Sequence, residues 1–280
     1  MASNLVVARG GIEFVPPISL SFWRWLLVFL ILFLFNFTFI IKNFETIKKE
    51  YKKLFFLGFM GCGVCSIFPY TAGETTTIVN MGIIYTSSPI FIILISYFFF
   101  KEKINKLMSV GLISCLIGVL IIIVKGDIYL LFKLKFTSGD LWMVGASIGW
   151  ALYSVYLFQW KSRLRVFSRF TLISFFGTLS ILPFYIFEQN LIQPTNFDSN
   201  FYFWILFAAF FPGIIAFSLY TLTQKYLGAS TTGFTLYLFT VYGAFYGIVF
   251  FGESLEIYHY FGTVLVFFGI YLVKKKSKNE

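Results

Sequence analysis

Long, uninterrupted apolar runs are the feature that most restricts how this chain can fold. Nine runs, each about as long as a bilayer-spanning helix needs, cover residues 18–41, 54–72, 77–100, 107–124, 141–160, 170–187, 201–222, 230–251 and 257–273. Lipid offers no partners to backbone polar groups, so a spanning segment must be a helix or a strand of a closed barrel. Barrel strands alternate apolar and polar residues, whereas these runs are continuous. The sequence therefore predicts an all-α polytopic membrane protein.

An internal match at constant spacing indicates that the chain is duplicated. Residues 99–118, FFKEKINKLMSVGLISCLIG, resemble residues 250–269, FFGESLEIYHYFGTVLVFFG. Five residues recur 151 positions later: Phe99, Phe100, Glu102, Gly111 and Gly118 match Phe250, Phe251, Glu253, Gly262 and Gly269. Two copies with an odd number of spans would lie inverted to each other, an architecture of many secondary transporters. Chance matching in Phe- and Gly-rich segments is the alternative.

Residues 1–15 are too short to span a bilayer, since ten helical residues reach only about 15 Å. Ala2–Arg9, ASNLVVAR, nevertheless resembles the stretch that begins at Ala151. We therefore expect residues 1–15 to be the outer half of a truncated first helix, which about 12–15 more upstream residues would complete. The full prediction is a ten-helix inverted-repeat (5 + 5) bundle, with one repeat in residues 1–126 and the other in 139–280.

The basic residues predict the orientation. Seventeen of the 22 Lys and Arg residues lie in segments that fall on one side if the spans alternate, whereas the other side holds mostly Glu and Asp. By the positive-inside rule the basic side is cytoplasmic, and so is the C-terminus of this multi-pass protein of the cell (inner or plasma) membrane. The net charge of +10 is split into short clusters between spans, so we expect the lipid bilayer and not a nucleic acid as partner.

Several segments in order resemble the drug/metabolite transporter superfamily, in its EamA-type branch. These are ASNLVVAR followed by VPPISLSFWRW, then residues 71–102, which contain Asn80 and Pro89, and then residues 222–253, which end in Gly252 and Glu253. The resemblance covers nearly the whole chain. It implies ten helices and the export or uptake of small metabolites, often amino acids. Thr240 stands where the second copy usually has a proline matching Pro89, so we expect a straighter helix there.

Signatures of catalysis are missing from the sequence. It contains no G-x4-G-K-[ST], no H-E-x-x-H and no G-x-S-x-G motif, so we expect neither an enzyme nor a cofactor. Cys62 and Cys65 form a C-x-x-C inside an apolar run, where small packing residues are favoured over a redox pair. His259 is the sole histidine, so we expect no metal site.

Charged residues within spans are candidates for function. Arg24 either faces a cavity and binds a substrate carboxylate, or extends to the outer headgroups beside Trp23 and Trp25, and the second interpretation is favoured. No carboxylate falls near the middle of a span. Neutral or zwitterionic solutes are therefore favoured over cationic drugs, and proton coupling has no obvious carrier.

Polar and aromatic side chains that could line a central cavity complete the candidates. With Arg24, the candidate substrate-binding residues are Asn4, Tyr70, Asn80, Tyr85, Trp150, Tyr153, Tyr220 and Gln224. Packing within the core or between helices is the alternative role for each of them. We hypothesise in particular that Asn80 and Trp150 face one cavity between the repeats. Small residues at helical spacing, Gly145-x3-Gly149 and Gly243-x3-Gly247, predict close helix packing.

The function that these patterns favour is secondary transport, by alternating access, of small metabolites that are amino-acid-like or otherwise neutral or zwitterionic. Of the two directions that the resemblance implies, we expect export. The alternative is a non-transporting family remnant or a membrane scaffold. Nothing in the sequence specifies an oligomeric state.

Overall fold

The structure, a computed structural model, describes residues 3–76, 78–102, 104–127, 129–133, 135–238, 240–242, 245 and 256–277. Within these residues seven helices are long and apolar enough to cross a bilayer, and the apolar helical stretch Ile257–Val273 is shorter. The prediction of an all-helical polytopic membrane protein is confirmed. The repeated residues Phe250, Phe251 and Glu253 and the pair Gly243 and Gly247 lie outside the described residues.

The helices of the described residues follow one another along the chain. In the first part they are α1 Ser3–Val6, a π-helical stretch Val7–Gly11, α2 Pro17–Lys42, α3 Phe44–Gly58, a π-helical stretch Phe59–Val64, α4 Cys65–Gly73, α5 Ile78–Tyr85, α6 Ser88–Phe100 and α7 Lys106–Ile123. In the second part they are α8 Tyr129–Phe132, α9 Ser138–Gln159, α10 Val166–Leu191, α11 Ser199–Ala208, a π-helical stretch Ala209–Ile215, α12 Ala216–Gly233, a 3-10 stretch Phe234–Tyr237 and α13 Ile257–Ser277.

Helix α2 illustrates why these segments fold as they do. Pro17 occupies its first turn, where a missing N–H removes no intrahelical hydrogen bond. Leu34 and Phe35 are 77% and 83% exposed, whereas Trp25 is fully buried. In water such exposure of large apolar side chains would be unfavourable, but in a bilayer these side chains face lipid. One face of α2 therefore packs on the bundle, and the other contacts the membrane.

Elements at matched positions of the two parts recur at nearly constant spacing. The helices α2 and α10 begin 149 residues apart, at Pro17 and Val166. The π-helical stretches that start at Phe59 and Ala209 are 150 residues apart, and α7 and α13 start 151 residues apart. Three elements of the first part, among them a π-helical stretch, thus recur at matched positions of the second part.

Helices α7 and α13 pack antiparallel through the glycines that the sequence singled out. A Cβ built on Gly118 would lie 2.6 Å from the carbonyl oxygen of Gly262, and one on Gly111 would lie 2.7 Å from the carbonyl oxygen of Gly269. At this close approach Ser114 Oγ donates to the carbonyl oxygen of Leu265, 151 residues away, at 2.9 Å. The prediction that these glycines allow helices to approach closely is confirmed.

The glycine pair on α9 has the predicted packing role as well. A Cβ on Gly145 would lie 2.9 Å from the Phe68 ring, and one on Gly149 would lie 2.7 Å from Val64. Both contacts are with the helical run that holds Cys65, so α9 presses against α4 at the level of the candidate site.

Breaks in the helices also fall at matched places. The helical path is interrupted at Thr86 and Ser87, and Pro89 follows in the first turn of α6, as expected for a proline. In the second part the 3-10 stretch Phe234–Tyr237 precedes Thr240. The backbone thus departs from α-helical geometry before Thr240 without a proline, whereas the expectation of a straighter helix at Thr240 stays a prediction, because residues 239, 243, 244 and 246–255 lie outside the described residues.

A buried carboxylate fixes the start of α2. Glu188, on α10, is 3% exposed. Its two oxygens accept hydrogen bonds from the backbone N–H groups of Ile18 (2.9 Å) and Ser19 (2.6 Å), and from Ser19 Oγ at 2.6 Å. An acceptor from another helix thus satisfies the free N–H groups at this helix start. The contact holds α2 in place five residues before Arg24.

Candidate functional site

A cavity of about 60 Å³ lies where the helices of the two parts meet. It is lined by residues of α1, α2, α4, α5, α9, α12 and the π-helical stretches Val7–Gly11 and Ala209–Ile215: Asn4, Ala8, Arg24, Cys65, Pro69, Met81, Gly82, Tyr85, Met143, Trp150, Pro212 and Phe217. One water needs about 10–15 Å³ of such space. The cavity therefore has room for several waters or for part of a small solute.

Arg24 supplies the charge of this cavity, and its geometry is tightly determined. Its Nη1 donates to Asn4 Oδ1 and to the Tyr70 hydroxyl, each at 2.8 Å. The Tyr70 hydroxyl in turn donates to Asn4 Oδ1 at 2.8 Å. The guanidinium also lies over the Trp25 ring, 4.7 Å from its centre, a favourable cation–π contact. Arg24, Asn4 and Tyr70 are thus brought together, although they come from three different helices.

The favoured interpretation of Arg24 as a side chain that extends to the headgroups is wrong. Arg24 is 2% exposed, and its hydrogen bonds turn it inward, because α1 and α4 present acceptors there. Its Nε is buried without a hydrogen-bond partner. No carboxylate pairs with it in the described part of the chain, and no Asp or Glu is among the lining residues. A buried cation without a counter-ion is costly, so the cavity favours an anionic group.

Aromatic side chains form the walls around this charge. Trp150 is 2% exposed and lines the cavity. Its ring centre lies 5.4 Å from that of Phe217 and 5.0 Å from that of Tyr220. Its Nε1 donor is buried with no hydrogen-bond partner. The indole therefore offers both an apolar wall and a hydrogen-bond donor that a solute could use.

Besides Tyr70, which contacts the lining residues Arg24 and Asn4, three more predicted residues lie next to the cavity lining and not in it. Ser154 Oγ and the Tyr220 hydroxyl are 2.8 Å apart, and Gln224 Nε2 donates to the carbonyl oxygen of Ser154 at 3.1 Å. Tyr153 is fully buried and packs on Trp150, with ring centres 5.4 Å apart. Tyr153, Tyr220 and Gln224 thus close the bundle between the cavity and the end of α9 that carries Gln159.

The structure does not place Asn80 with Trp150. Asn80 is buried, and its Nδ2 donates to both carboxylate oxygens of Asp140, at 3.1 and 3.2 Å, and to the carbonyl oxygen of Lys135 at 3.1 Å. Asp140, at the start of α9, also accepts hydrogen bonds from the backbone N–H of Thr137 and from Thr76 Oγ1. Asn80 therefore ties α5 to the start of α9, whereas its neighbours along α5 line the cavity.

Sequence reasoning missed most of the apolar lining. Pro69, Met81, Met143, Pro212 and Phe217 line the cavity but are residues of common types within apolar runs. Helical spacing offers a partial signal, because Cys65 and Pro69 on α4 are four residues apart and so share a face with each other. The partner faces come from helices distant in the sequence, and no local pattern identifies them.

A paired substitution separates binding from packing. Trp150→Phe keeps the aromatic wall but removes the unpartnered Nε1 donor. We expect the apparent substrate affinity to fall about 2- to 13-fold, because one hydrogen bond contributes about 0.5–1.5 kcal/mol. Asn80→Ala should lower thermal stability and leave affinity unchanged. Transport kinetics and melting of both purified variants check this. Normal affinity in Trp150→Phe would remove Trp150 from the site.

Comparison with known proteins supports this architecture independently. The chain is 27% identical over 288 residues to the uncharacterized transporter YetK of Bacillus subtilis (strain 168), which covers 99% of this chain and 84% of that protein. The uncharacterized transporter YyaM of the same organism is 24% identical over 94% of this chain and 86% of its own length. An uncharacterized transporter of Archaeoglobus fulgidus is 24% identical over 99% of this chain and 94% of its own.

A solved crystal structure has the same fold. It superimposes with a TM-score of 0.78 over 99% of this chain and 94% of its own, at 15% sequence identity. The profile of the EamA-like transporter family matches this chain twice, over residues 1–124 and again over residues 137–274. The family is one of transporters and not of enzymes, and its drug/metabolite superfamily is the one that the sequence motifs resemble. This chain belongs to the EamA-like transporter family.

Proposed function

We propose that this protein is a secondary transporter that exports small zwitterionic metabolites of amino-acid type, by alternating access around the cavity at Arg24. The observation that carries the proposal is the buried guanidinium of Arg24, which lines the cavity and has no carboxylate partner among the described residues. A substrate carboxylate would provide the missing counter-ion and accept from the free Nε. Export is the direction that we propose, although the resemblance to EamA-type transporters allows both export and uptake.

The wall composition supports a solute with an apolar part. Trp150, Phe217 and Met143 line the cavity together with Arg24, and no acidic side chain among the described lining residues is available to bind an ammonium group. The Trp150 ring can accept a cation on its face. The cavity thus suits a solute with three parts: a carboxylate that binds Arg24, an apolar body that packs on the lining, and an ammonium group that contacts the Trp150 ring.

We further propose that the molecule is a ten-helix bundle of two inverted repeats, residues 1–126 and 139–280, with five helical units each. Support comes from the recurrence of elements at 149 to 151 residues and from the antiparallel pairing of α7 with α13. The helical path from Ser199 to Tyr242 counts as two spans, because 44 residues exceed twice the length that one bilayer crossing requires. The break at Gly228, with φ 82°, separates them.

Transport by purified protein in vesicles tests the function. A panel of labelled amino acids is supplied to vesicles that hold the protein with its basic end outward. Uptake of each amino acid is compared with uptake of the amine that differs from it only by lacking the carboxylate. Export predicts accumulation of at least one amino acid and none of its amine. Accumulation of amines alone would contradict the role of Arg24. If no member accumulates above protein-free vesicles, the transport proposal fails in favour of a non-transporting scaffold.

The proposed orientation places the C-terminus in the cytoplasm, by the positive-inside rule. Single cysteines near Lys49 or Arg163, in a protein without its native cysteines, should resist impermeant thiol reagents in intact cells. Cysteines near Asp198 or Glu256 should react. The reverse pattern would invert the topology, and reaction at all four positions would overturn the number of spans.

A further inference from the structure

Two carboxylates join the two halves at the basic end of the bundle, the end that carries Lys42, Lys101 and Lys161: Glu50 accepts from Ser162 Oγ at 2.6 Å, and Glu102 makes two such contacts. Glu102 follows the last residues of α6, and its two oxygens accept from different residues of the second half. Gln159 Nε2, at the end of α9, donates to Oε1 at 3.0 Å, and Ser230 Oγ donates to Oε2 at 2.6 Å. The partners are separated from Glu102 by 57 and 128 residues in the sequence. We call these two hydrogen bonds, from Gln159 and Ser230 to Glu102, the Glu102 clasp.

The backbone holds Glu102 in position for this contact. Lys101 ends α6 in the left-handed region, with φ 55°, which is uncommon for a residue with a side chain. The N–H of Glu102 then donates to the carbonyl oxygen of Ser96 at 3.1 Å. The chain thus turns sharply at the end of α6, and the Glu102 side chain reaches α9 and α12.

The second half contributes a backbone break at the same place. Gly228 has φ 82° and ψ 170° inside α12, a conformation that glycine adopts without the cost that a side chain adds. Ser230 lies two residues beyond it. Glu102 therefore binds α12 just beyond Gly228. At Gly228 the α-helical hydrogen bonds are interrupted, so they do not fix the direction of the segment that holds Ser230.

Between this clasp and the cavity the bundle is closed but polar. Trp150 and Gln159 are nine residues apart on α9, about 13 Å. In this interval Ser154, Tyr220 and Gln224 are buried, and Gln224 Oε1 has no hydrogen-bond partner. An unsatisfied buried oxygen disfavours the closed arrangement. The Glu102 contacts lie at the end of this interval, where they can offset that cost.

We propose that Glu102 is the latch of a gate at the basic end. Its carboxylate holds α6 to α9 and α12 while the cavity is closed on that side, and it releases Gln159 and Ser230 when that side opens to solute. The proposal rests on the transport function proposed above, because alternating access requires this end to open. Loss of the latch should therefore shift the protein toward the state that is open at the basic end.

Thiol accessibility tests the latch without any substrate. All native cysteines are replaced, and the reporter Ser154→Cys lies in the closed interval. An impermeant maleimide is added to inverted vesicles, where the proposed orientation exposes the basic end. Glu102→Ala should raise the labelling rate about tenfold, which corresponds to about 1.4 kcal/mol. Ser230→Ala should raise it less, because it removes one of the two hydrogen bonds.

A matched control is Glu45→Ala, which removes an exposed carboxylate at the same end without touching the clasp and should leave labelling unchanged. A parent-like rate in Glu102→Ala, with unchanged melting temperature, would overturn the latch. If Glu102→Ala inserts poorly, Glu102→Gln and Ser230→Ala decide in the same way. Faster labelling in a protein that moves no solute would uphold the latch while the proposed function fails, so the two outcomes are distinguishable.

Discussion

Replacement of Arg24 by methionine is expected to lower the affinity for a carboxylate-bearing substrate by at least about 30-fold. Methionine keeps much of the length of the side chain and removes the charge, and truncation of one partner of a buried charged pair costs about 2–5 kcal/mol. Arg24→Lys keeps the charge but not the planar donor arrangement, so we expect an intermediate loss. Substrate binding to purified protein, measured by calorimetry, gives the affinities directly.

Arg169 provides the matched control for Arg24. Its Nη1 donates to the carbonyl oxygen of Leu157 at 2.9 Å, and its Nη2 donates to that of Trp160 at 2.8 Å. Those bonds satisfy carbonyl groups at the end of α9, and Arg169 does not line the cavity. Arg169→Met should therefore lower the melting temperature and leave affinity unchanged. Equal affinity losses in both methionine variants would show that Arg24 acts through stability and not through substrate contact.

The helical architecture could be predicted from the sequence because bilayer thickness imposes a length on every spanning segment. The predicted runs 18–41 and 107–124 correspond to α2, Pro17–Lys42, and α7, Lys106–Ile123. The glycines of α7 were identifiable because their spacing repeats in the second half. Helix breaks were harder to predict: Pro89 indicates one, whereas the turn at Gly228 depends on backbone geometry that many glycines never adopt.

The site was only partly predictable, since a residue type does not specify its partners. Arg24 stood out as a charge in an apolar run, but its inward direction depends on Asn4 and Tyr70, which lie in other helices. Asn80 is as polar as a substrate-binding residue, yet its amide donates to Asp140 and not to the cavity. Only the tertiary arrangement distinguishes a polar group that faces a cavity from one that joins two helices.

Paired alanines at Gly118 and Gly262 are expected to prevent stable folding of the bundle. A Cβ on Gly118 would lie 2.6 Å from the Gly262 carbonyl oxygen, and one on Gly262 would lie 2.6 Å from the Gly118 carbonyl oxygen and closer still to Ile122 Cγ1. The first obstacle is backbone, which cannot rotate away, so α7 and α13 must separate. Overpacking of this kind typically costs about 1–3 kcal/mol per site, a large share of the stability of most domains.

Gly73→Ala is the control for this pair of substitutions. A Cβ on Gly73, at the end of α4, would meet Ile12 Cδ1 at 3.4 Å, an ordinary contact with a flexible side chain, so we expect stability close to that of the parent. Melting in detergent and the yield of folded protein compare the variants. The single alanines should each lower stability, and the double variant should fall further, because both carbonyl contacts lie at one crossing. Parent-like melting of the double variant would mean that α7 and α13 do not pack through their glycines, and the antiparallel pairing that supports the inverted repeat would lose its physical basis.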